Sequence, residues 1–153
     1  MRIRKATLED ADAVRSLTRA AYKKWIVHIG REPLPMTADY SAAIANHLIF
    51  LGENNQQLNG ILEVIPKPDH LLIENIAVLP ELQGKGFGSL LLLHAEKVAN
   101  DLGLEELQLY TNAAFQSNQH FYASRGYESF RRERLPDGGV SIYMRKKLFQ
   151  VGL

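Results

Sequence analysis

The stretch that decides the fold is QGKGFGS, residues 83–89, which lies between an apolar segment at 71–79 and a helical pattern at 88–102. Glycine alternates through it, so side chains do not block an approaching ligand and the backbone turns freely. Residues 81–89 contain no proline, so every N–H group there can donate. Because N–H groups at the start of a helix attract anions, and Lys85 adds a positive charge, the stretch predicts a phosphate or pyrophosphate site.

The two common nucleotide motifs do not fit this loop. The spacing is G-x-G-x-G, with serine at position 89, and the next predicted strand ends in Thr111-Asn112 where a dinucleotide site requires an acidic residue. The Gly-Lys-Ser/Thr sequence that ends a nucleotide-binding P-loop is absent as well. A turn that only joins a strand to a helix remains the alternative at this point.

Composition places the chain among ordinary globular proteins. Its 153 residues, 46% hydrophobic and 23% charged, suit one domain spanning residues 1–153. A net charge of +1 predicts no nucleic-acid partner. Cysteine is absent and the five histidines have no ligand spacing, so we expect no metal. Without a signal sequence or an apolar run long enough for a bilayer, we expect a cytoplasmic protein with no membrane association.

The hydrophobic pattern predicts an α/β (α+β) domain with the order β-α-α-β-β-β-α-β-α-β-β. Thr7 and Asp10 resemble a capping box before the first helix. The segment at 25–36 should be irregular, because it contains Gly30, Pro33 and Pro35. The predicted strands lie near 3–6 and at 48–51, 60–65, 71–79, 107–110, 127–132 and 140–146, and the predicted helices at 8–24, 37–46, 88–102 and 116–125. The third helix should bury Leu91, Ala95, Val98 and Leu102.

Two stretches resemble the GNAT N-acetyltransferase superfamily. Residues 78–88, VLPELQGKGFG, are similar to its motif A, Q/R-x-x-G-x-G/A after a V-x-P strand end. Residues 118–127, NQHFYASRGY, are similar to a later helix that ends in Tyr-x-x-x-Gly-Phe/Tyr. The family's usual Asn seven residues before that Tyr is Phe115 here, so Asn118 is the polar candidate. The resemblance implies a mixed, mostly antiparallel central sheet, splayed after the fourth strand, with helices on both faces.

The resemblance also implies acetyl-CoA as co-substrate. The loop N–H groups would bind the pyrophosphate, and the pantetheine arm would lie along the strand before the loop. The cofactor-binding residues implied in this way are Ile76, Ala77, Val78, Gln83, Gly84, Lys85, Gly86, Phe87, Gly88, Ser89 and Asn118.

The implied reaction is acetyl transfer to a primary amine by direct attack. An alkyl ammonium has a pKa near 10 and must lose a proton first. Tyr122 matches the position from which the family protonates the departing thiolate; the alternative is that it only packs. Glu74 shares a strand face with Ile76 and Val78 by period two, so it is the candidate base, acting through water. Its alternative is an ion pair with a neighbouring Arg or Lys.

The acceptor, an amine of a small molecule or peptide, should be bound by the irregular segment after the first helix. The guanidinium of Arg31 is suited to bidentate binding of a carboxylate. For Tyr22 and Trp25, the alternative interpretation is that they anchor the loop to the core. The candidate acceptor-binding residues are Tyr22, Trp25, His28, Arg31 and Tyr110.

Two other functions stay open on the sequence. One is a non-catalytic module of the same fold that binds or senses acyl-CoA, and the other is a binder of nucleotide phosphates. The last strands are candidates for pairing between the subunits of a homodimer.

Overall fold

The computed structural model describes residues 1–30, 32 and 34–148, with only the backbone of residues 28 and 34. The strands are β1 (Arg2–Lys5), β2 (Leu48–Asn54), β3 (Gln57–Pro66), β4 (Leu71–Val78), β5 (Glu106–Asn112), β6 (Glu128–Arg134) and β7 (Val140–Lys147). The α-helices are α1 (Ala11–Tyr22), α2 (Ile26–Ile29), α3 (Leu34–Thr37), α4 (Tyr40–Asn46), α5 (Phe87–Asp101) and α6 (Gln116–Ala123). The predicted order is confirmed, with α2 and α3 as additions.

The first helical region is divided where the sequence suggests one helix. A 3₁₀ turn at Leu8–Asp10 precedes α1, and a second one at Lys23–Trp25 follows it. The short helix α2 ends at Gly30, whose φ of 70° is left-handed. Pro35 lies in the first turn of α3, where a missing N–H costs nothing. The segment predicted as irregular therefore still holds two single helical turns.

The sheet has the strand order β1-β2-β3-β4-β5-β7-β6. Neighbours are antiparallel except for β4 and β5, which are parallel and pair only from Leu71–Leu107 to Ile73–Leu109. Beyond Ile73 the two strands separate, so the second half of β4 has no β5 partner in the described sheet. We call this opening the gap. The predicted splay after the fourth strand is confirmed.

A bulge marks the point where the strands separate. Glu63 of β3 pairs with Asn75 and Val64 pairs with Ile73, which leaves Glu74 as an extra residue of β4. A bulge of this kind bends the strand and redirects its side chains. Ile73 belongs to the core under α5, whereas Ala77 belongs to the core under α1 and α4.

Hydrophobic side chains cover both faces of the sheet. Val14, Leu17 and Ala21 of α1, with Tyr40 and Ala43 of α4, pack on one face. The stripe of α5 packs on the other, and the prediction for it is wrong at one position. Leu102 is 49% exposed, because α5 ends at Asp101 and the chain turns at Gly103, which has a φ of 73°.

The predicted capping residues fix the first helical turn. The Thr7 backbone N–H donates to Asp10 Oδ2 at 2.8 Å. The Arg4 guanidinium donates to both Asp10 oxygens, each at 2.9 Å, and lowers the pKa of that carboxyl to about 2. None of the helices in the described ranges is long and apolar enough to cross a membrane.

Candidate active site

Two cavities meet at the gap. One, of about 380 Å³, extends beneath α4 and is called the α4 cavity. The other, of about 420 Å³, lies against the glycine-rich residues 83–89 and is called the loop cavity. Four residues line both cavities and define the junction between them: Tyr22, Ile76, Asn118 and Tyr122.

The glycines of the loop serve two different purposes. Gly84 and Gly86 have φ angles of 79° and 91°, which disfavour any residue with a Cβ, although an added Cβ would meet no atom within 4 Å. At Gly88 the backbone is ordinary, but a Cβ would lie 3.0 Å from Cζ of Phe121. Gly88 therefore permits close contact between α5 and α6, whereas Gly84 and Gly86 permit the turn.

The loop offers a run of free backbone donors. Among the described residues, no group accepts a hydrogen bond from the N–H groups of residues 84–89, and α5 has no side-chain N-cap. The first backbone bond of α5 runs from Leu90 N–H to the Gly86 carbonyl at 3.2 Å. The start of a helix with free N–H groups attracts anions, so the loop cavity has a wall suited to phosphate.

Positively charged side chains border the loop cavity as well. Arg125 Nε donates to Ser89 Oγ at 2.8 Å, and its guanidinium lies over the Phe121 ring at 4.0 Å. Lys24 Nζ donates to Gln83 Oε1 at 2.6 Å. Sequence reasoning missed Arg125. The available signal is its spacing, one helical turn after Phe121 and directly before Gly126 of the second motif.

Gln83 fixes the loop to the end of β4. Its Nε2 donates to the Val78 carbonyl at 3.0 Å. Gln83, Gly84, Gly86, Gly88 and Ser89 line the loop cavity, as do Ile76, Ala77 and Val78. Of the other cofactor-binding candidates, Lys85 is exposed, and Phe87 packs against the core under α5.

Tyr122 is buried at the junction with a free hydroxyl. It is 7% exposed and lies edge-on to Phe121 and Tyr127, with ring centroids 5.3 and 5.9 Å away. Within the described residues no group hydrogen-bonds its hydroxyl. Burial raises the pKa of Tyr122 well above its ordinary value, so the phenol is protonated at neutral pH.

Glu74 lies in the wall of the α4 cavity. The Tyr110 hydroxyl donates to Glu74 Oε1 at 2.6 Å. No Lys or Arg of the described chain forms an ion pair with this carboxylate, so the pairing considered from the sequence is not seen there. Burial, with the nearby Glu74 carboxylate, raises the pKa of Tyr110, so that hydroxyl remains a donor.

A chain of three side chains holds Tyr22 at the junction. The Tyr22 hydroxyl donates to Asn75 Oδ1 at 2.9 Å, Asn75 Nδ2 donates to the Tyr40 hydroxyl at 3.1 Å, and Tyr40 donates to the Pro35 carbonyl at 2.7 Å. Burial raises the pKa of Tyr22, and that of Tyr40 to about 12. Asn75 and Tyr40 are parts of the site that sequence reasoning did not assign.

Glu63 and His47 form a second polar pair in the α4 cavity. His47 Nδ1 lies 2.6 Å from Glu63 Oε2, and Glu63 is only 5% exposed. Burial raises the pKa of Glu63, and the hydrogen bond from His47 opposes that rise. A sequence signal was available, because Glu63 is the single charged residue in the apolar run Ile61–Ile65.

The acceptor-binding candidates are distributed over both cavities. Tyr22 lies at the junction and Tyr110 in the α4 cavity. Trp25 lines the loop cavity and stacks on Phe115 with ring centroids 4.3 Å apart. Arg31 and the side chain of His28 lie outside the described residues. Among the residues described, no group of three or more His, Asp or Glu could hold a metal ion.

Comparison with known proteins identifies the family. Residues 12–127 match the acetyltransferase (GNAT) family model, so the chain belongs to this family and the predicted resemblance is confirmed. No curated protein sequence matches the chain.

Solved structures show the same fold at low identity. The PaiA N-acetyltransferase of Thermoplasma acidophilum, in complex with coenzyme A, has a TM-score of 0.81 at 22% identity, over 95% of this chain and 98% of that one. The ribosomal-protein-S18-alanine N-acetyltransferase of Escherichia coli has a TM-score of 0.74 at 21% identity, over 99% of this chain and 96% of that one. A GNAT acetyltransferase of Elizabethkingia anophelis with acetyl-CoA bound has a TM-score of 0.71 at 16% identity, over 96% of this chain and 97% of that one.

Proposed function

We propose that this protein is an acetyl-CoA-dependent N-acetyltransferase that transfers the acetyl group directly to a primary amine. One observation carries the proposal: the α4 cavity and the loop cavity share four lining residues, and one of them is Tyr122, which has a free hydroxyl. A donor-rich cavity that meets a second cavity at a proton donor suits transfer between two bound substrates.

The residues of the loop cavity fit coenzyme A. Its pyrophosphate would accept hydrogen bonds from the free N–H groups of residues 84–89, and Lys24 and Arg125 would complement its charge. Residues 74–78 of β4 have no β5 partner. The Val78 carbonyl accepts from Gln83 and the Ile76 carbonyl accepts from the Tyr22 hydroxyl at 3.3 Å, and the other backbone groups of this segment would pair with the pantetheine amides. We place Gln83, Lys85, Phe87 and Asn118 in the same site as supporting residues. Solved relatives with coenzyme A or acetyl-CoA bound support this assignment.

The α4 cavity would hold the amine. Glu74 would take a proton from the ammonium through a water molecule, and the freed amine nitrogen would attack the thioester carbonyl carbon. As the new C–N bond forms and the C–S bond breaks, the sulfur would receive the Tyr122 proton. The products are an acetamide and a free thiol. Burial makes the phenol a weaker acid, but it also makes a thiolate in the same site more basic. The pKa values of the proton donor and of the thiol are therefore raised together, and the phenol can still protonate the sulfur.

The acceptor would be an amine of a small molecule or a peptide. The Escherichia coli relative acts, by its name, on the alanine of a ribosomal protein, which supports a peptide amine as one candidate acceptor. Tyr22 and Tyr110 are the acceptor-binding residues that the described geometry supports. A cytoplasmic location, where acetyl-CoA is available, belongs to the same proposal, as does a homodimer formed through the last strands.

The test is release of free thiol from acetyl-CoA in the presence of a panel of amines, together with calorimetric titration of coenzyme A. We expect coenzyme A to bind and thiol release to depend on the added amine. Coenzyme A binding without amine-dependent release would favour the acyl-CoA-binding module. Failure of coenzyme A to bind would contradict both functions.

A further inference from the structure

The α4 cavity carries acidic side chains outside the junction. Asp39, His47 and Glu63 line it without lining the loop cavity. Together with Glu74, the cavity therefore presents three carboxylates. His47 is the only side chain capable of positive charge among its described lining residues, and it is already bonded to Glu63.

Glu63 has an unused acceptor inside this cavity. One of its oxygens accepts from His47 at 2.6 Å, and no described group donates to the other. A carboxylate that is only 5% exposed loses its hydration, and that loss is costly unless charged or hydrogen-bonding groups replace the water. His47 replaces part of it, and the second oxygen remains open to a donor from the cavity.

The fold sets the distance between this carboxylate and the reacting end. Glu63 lies on β3 opposite Asn75 of β4, and β4 itself borders the gap. Glu63 is thus one strand farther from the gap than Glu74. The junction is marked independently by Tyr122, a buried side chain with a free hydroxyl. A molecule that brings an amine to Tyr122 from this side extends its other end toward Glu63.

We propose that the acceptor carries a second cationic group besides the amine that is acetylated, and that Glu63, held by His47, binds that group. This inference rests on the proposed function. The chemistry it requires is an ammonium or guanidinium separated from the reacting amine by a short apolar chain. Asp39 adds negative charge in the same cavity, whereas a carboxylate on the acceptor would meet like charges there.

The primary test uses the unmodified protein and three matched series of amines. They are α,ω-diamines from diaminopropane to diaminooctane, n-alkylamines of equal length, and ω-amino acids of equal length. We expect at least one diamine to exceed its matched alkylamine about tenfold or more in kcat/KM, the size expected of one charged hydrogen bond. Equal values for all lengths, or a preference for the amino acids, would overturn the inference.

Substitution of Glu63 assigns the preference to that residue. Glu63→Gln keeps the side-chain shape and an oxygen for His47, so we expect the ratio of diamine to alkylamine kcat/KM to fall about tenfold. The ratio is taken within one preparation, so an unfolded fraction cancels. Glu128→Gln, an exposed residue on β6, is the matched control and should leave the ratio unchanged. An unaltered ratio in Glu63→Gln would overturn the assignment.

The outcomes separate this inference from the proposed function. Binding of coenzyme A with acetylation of alkylamines, but without a preference for diamines, overturns the inference alone. If coenzyme A binds and no amine is acetylated, titration of diaminobutane and butylamine into the coenzyme A-loaded protein decides: tighter binding of the diamine supports the inference, and equal or weaker binding overturns it. Failure of coenzyme A to bind, with no acetylation of any amine, overturns both.

Discussion

At the scale of single residues, the proton donor is the position on which the proposed chemistry depends most. Tyr122 is buried, its hydroxyl has no bond to any described group, and it lies where the two cavities meet. A hydroxyl kept free in this way costs stability unless a ligand uses it. Tyr127 also has a free buried hydroxyl, so it is the position of Tyr122 between the two cavities, and not the free hydroxyl alone, that favours a role toward a ligand.

Tyr122→Phe should lower kcat by about 10²–10⁴-fold, or about 3–5 kcal/mol of transition-state stabilisation, because it removes one general acid. Coenzyme A affinity should stay within a few-fold. The measurement is amine-dependent thiol release under saturating substrates. Tyr127→Phe is the control, since Tyr127 is 3% exposed, also has an unbonded buried hydroxyl and lines neither cavity. An unchanged kcat in Tyr122→Phe would remove this residue from the mechanism.

Arg125 is expected to bind the phosphates of the co-substrate and to make no contribution to binding of its pantetheine part. Arg125→Gln should weaken coenzyme A binding about tenfold, because one charge-assisted contact to phosphate is lost. Acetyl-pantetheine, which lacks the nucleotide and pyrophosphate, should be used equally well by both proteins. Calorimetry and thiol release measure the two effects. The exposed Arg134→Gln serves as control, and an equal loss for both co-substrates would argue that Arg125 only supports the loop.

At the scale of elements, the glycine-rich loop and the first helical turn give two separate tests. The loop depends on left-handed backbone, as at Gly86 with its φ of 91°. Gly138, in the turn between β6 and β7, has a φ of 89° and equally open surroundings. The two positions therefore share backbone conformation and differ in location.

Gly86→Ala and Gly138→Ala should each cost about 1–2 kcal/mol of folding stability, since an L residue is strained at these angles. Only Gly86→Ala should also weaken coenzyme A binding, by about tenfold or more, because the turn that presents the N–H groups shifts. Chemical unfolding and calorimetry on both variants provide the comparison. Equal coenzyme A affinity in the two variants would contradict the role given to the loop.

Asp10 should stabilise the fold in a pH-dependent way. Its pKa is lowered to about 2 by the Arg4 guanidinium, from an ordinary 3.8, so the folded state favours the charged form. The contribution is present above the ordinary value and is lost as the pH falls through the lowered one. Asp10→Asn should therefore cost about 1 kcal/mol at neutral pH, because the charge-assisted hydrogen bonds from the partly exposed Arg4 are lost, and the difference should shrink between pH 4 and 2.

Urea unfolding of Asp10→Asn at several pH values measures this effect. Asp12→Asn is the control, because that side chain is 95% exposed and forms only a surface ion pair with Arg15 at 3.6 Å. Its stability change should stay within a few tenths of a kcal/mol. A pH-independent difference for Asp10→Asn would show that the capping geometry, not the charge, is what matters.

At the scale of the whole molecule, the sheet consists of two halves joined by three paired residues of β4 and β5. A ligand in the gap contacts both halves. Saturating coenzyme A, at about a hundred times its Kd, should stabilise the protein by about 2.7 kcal/mol and raise Tm by about 5–10 °C. Differential scanning fluorimetry tests this. An ATP shift as large as that of coenzyme A would support the nucleotide-phosphate alternative instead.

What the sequence predicts well is local. The motif at residues 83–89, the order of the elements and the capping residues are all encoded within a few neighbouring positions. The polar partners of the site are not: His47 and Glu63 are 16 positions apart, Glu74 and Tyr110 are 36 apart, and Tyr22 and Asn75 are 53 apart. Such pairs depend on sheet register, which no short pattern specifies. Hence Glu63 could be singled out from the sequence as a charged residue in an apolar run, but its pairing with His47 in the α4 cavity could not be predicted.

The bulge in β4 has a consequence for which residues of this strand the core requires. Counting across it, Leu71 and Ile73 lie under α5, and so do Ile76 and Val78, whereas Ala77 lies on the opposite face. If position 74 were deleted, every remaining residue of the strand would keep its present face, in regular alternation. Glu74 is thus an extra residue in the register of the strand that displaces no core residue, and a chain shortened by this one residue should still fold while lacking the candidate base.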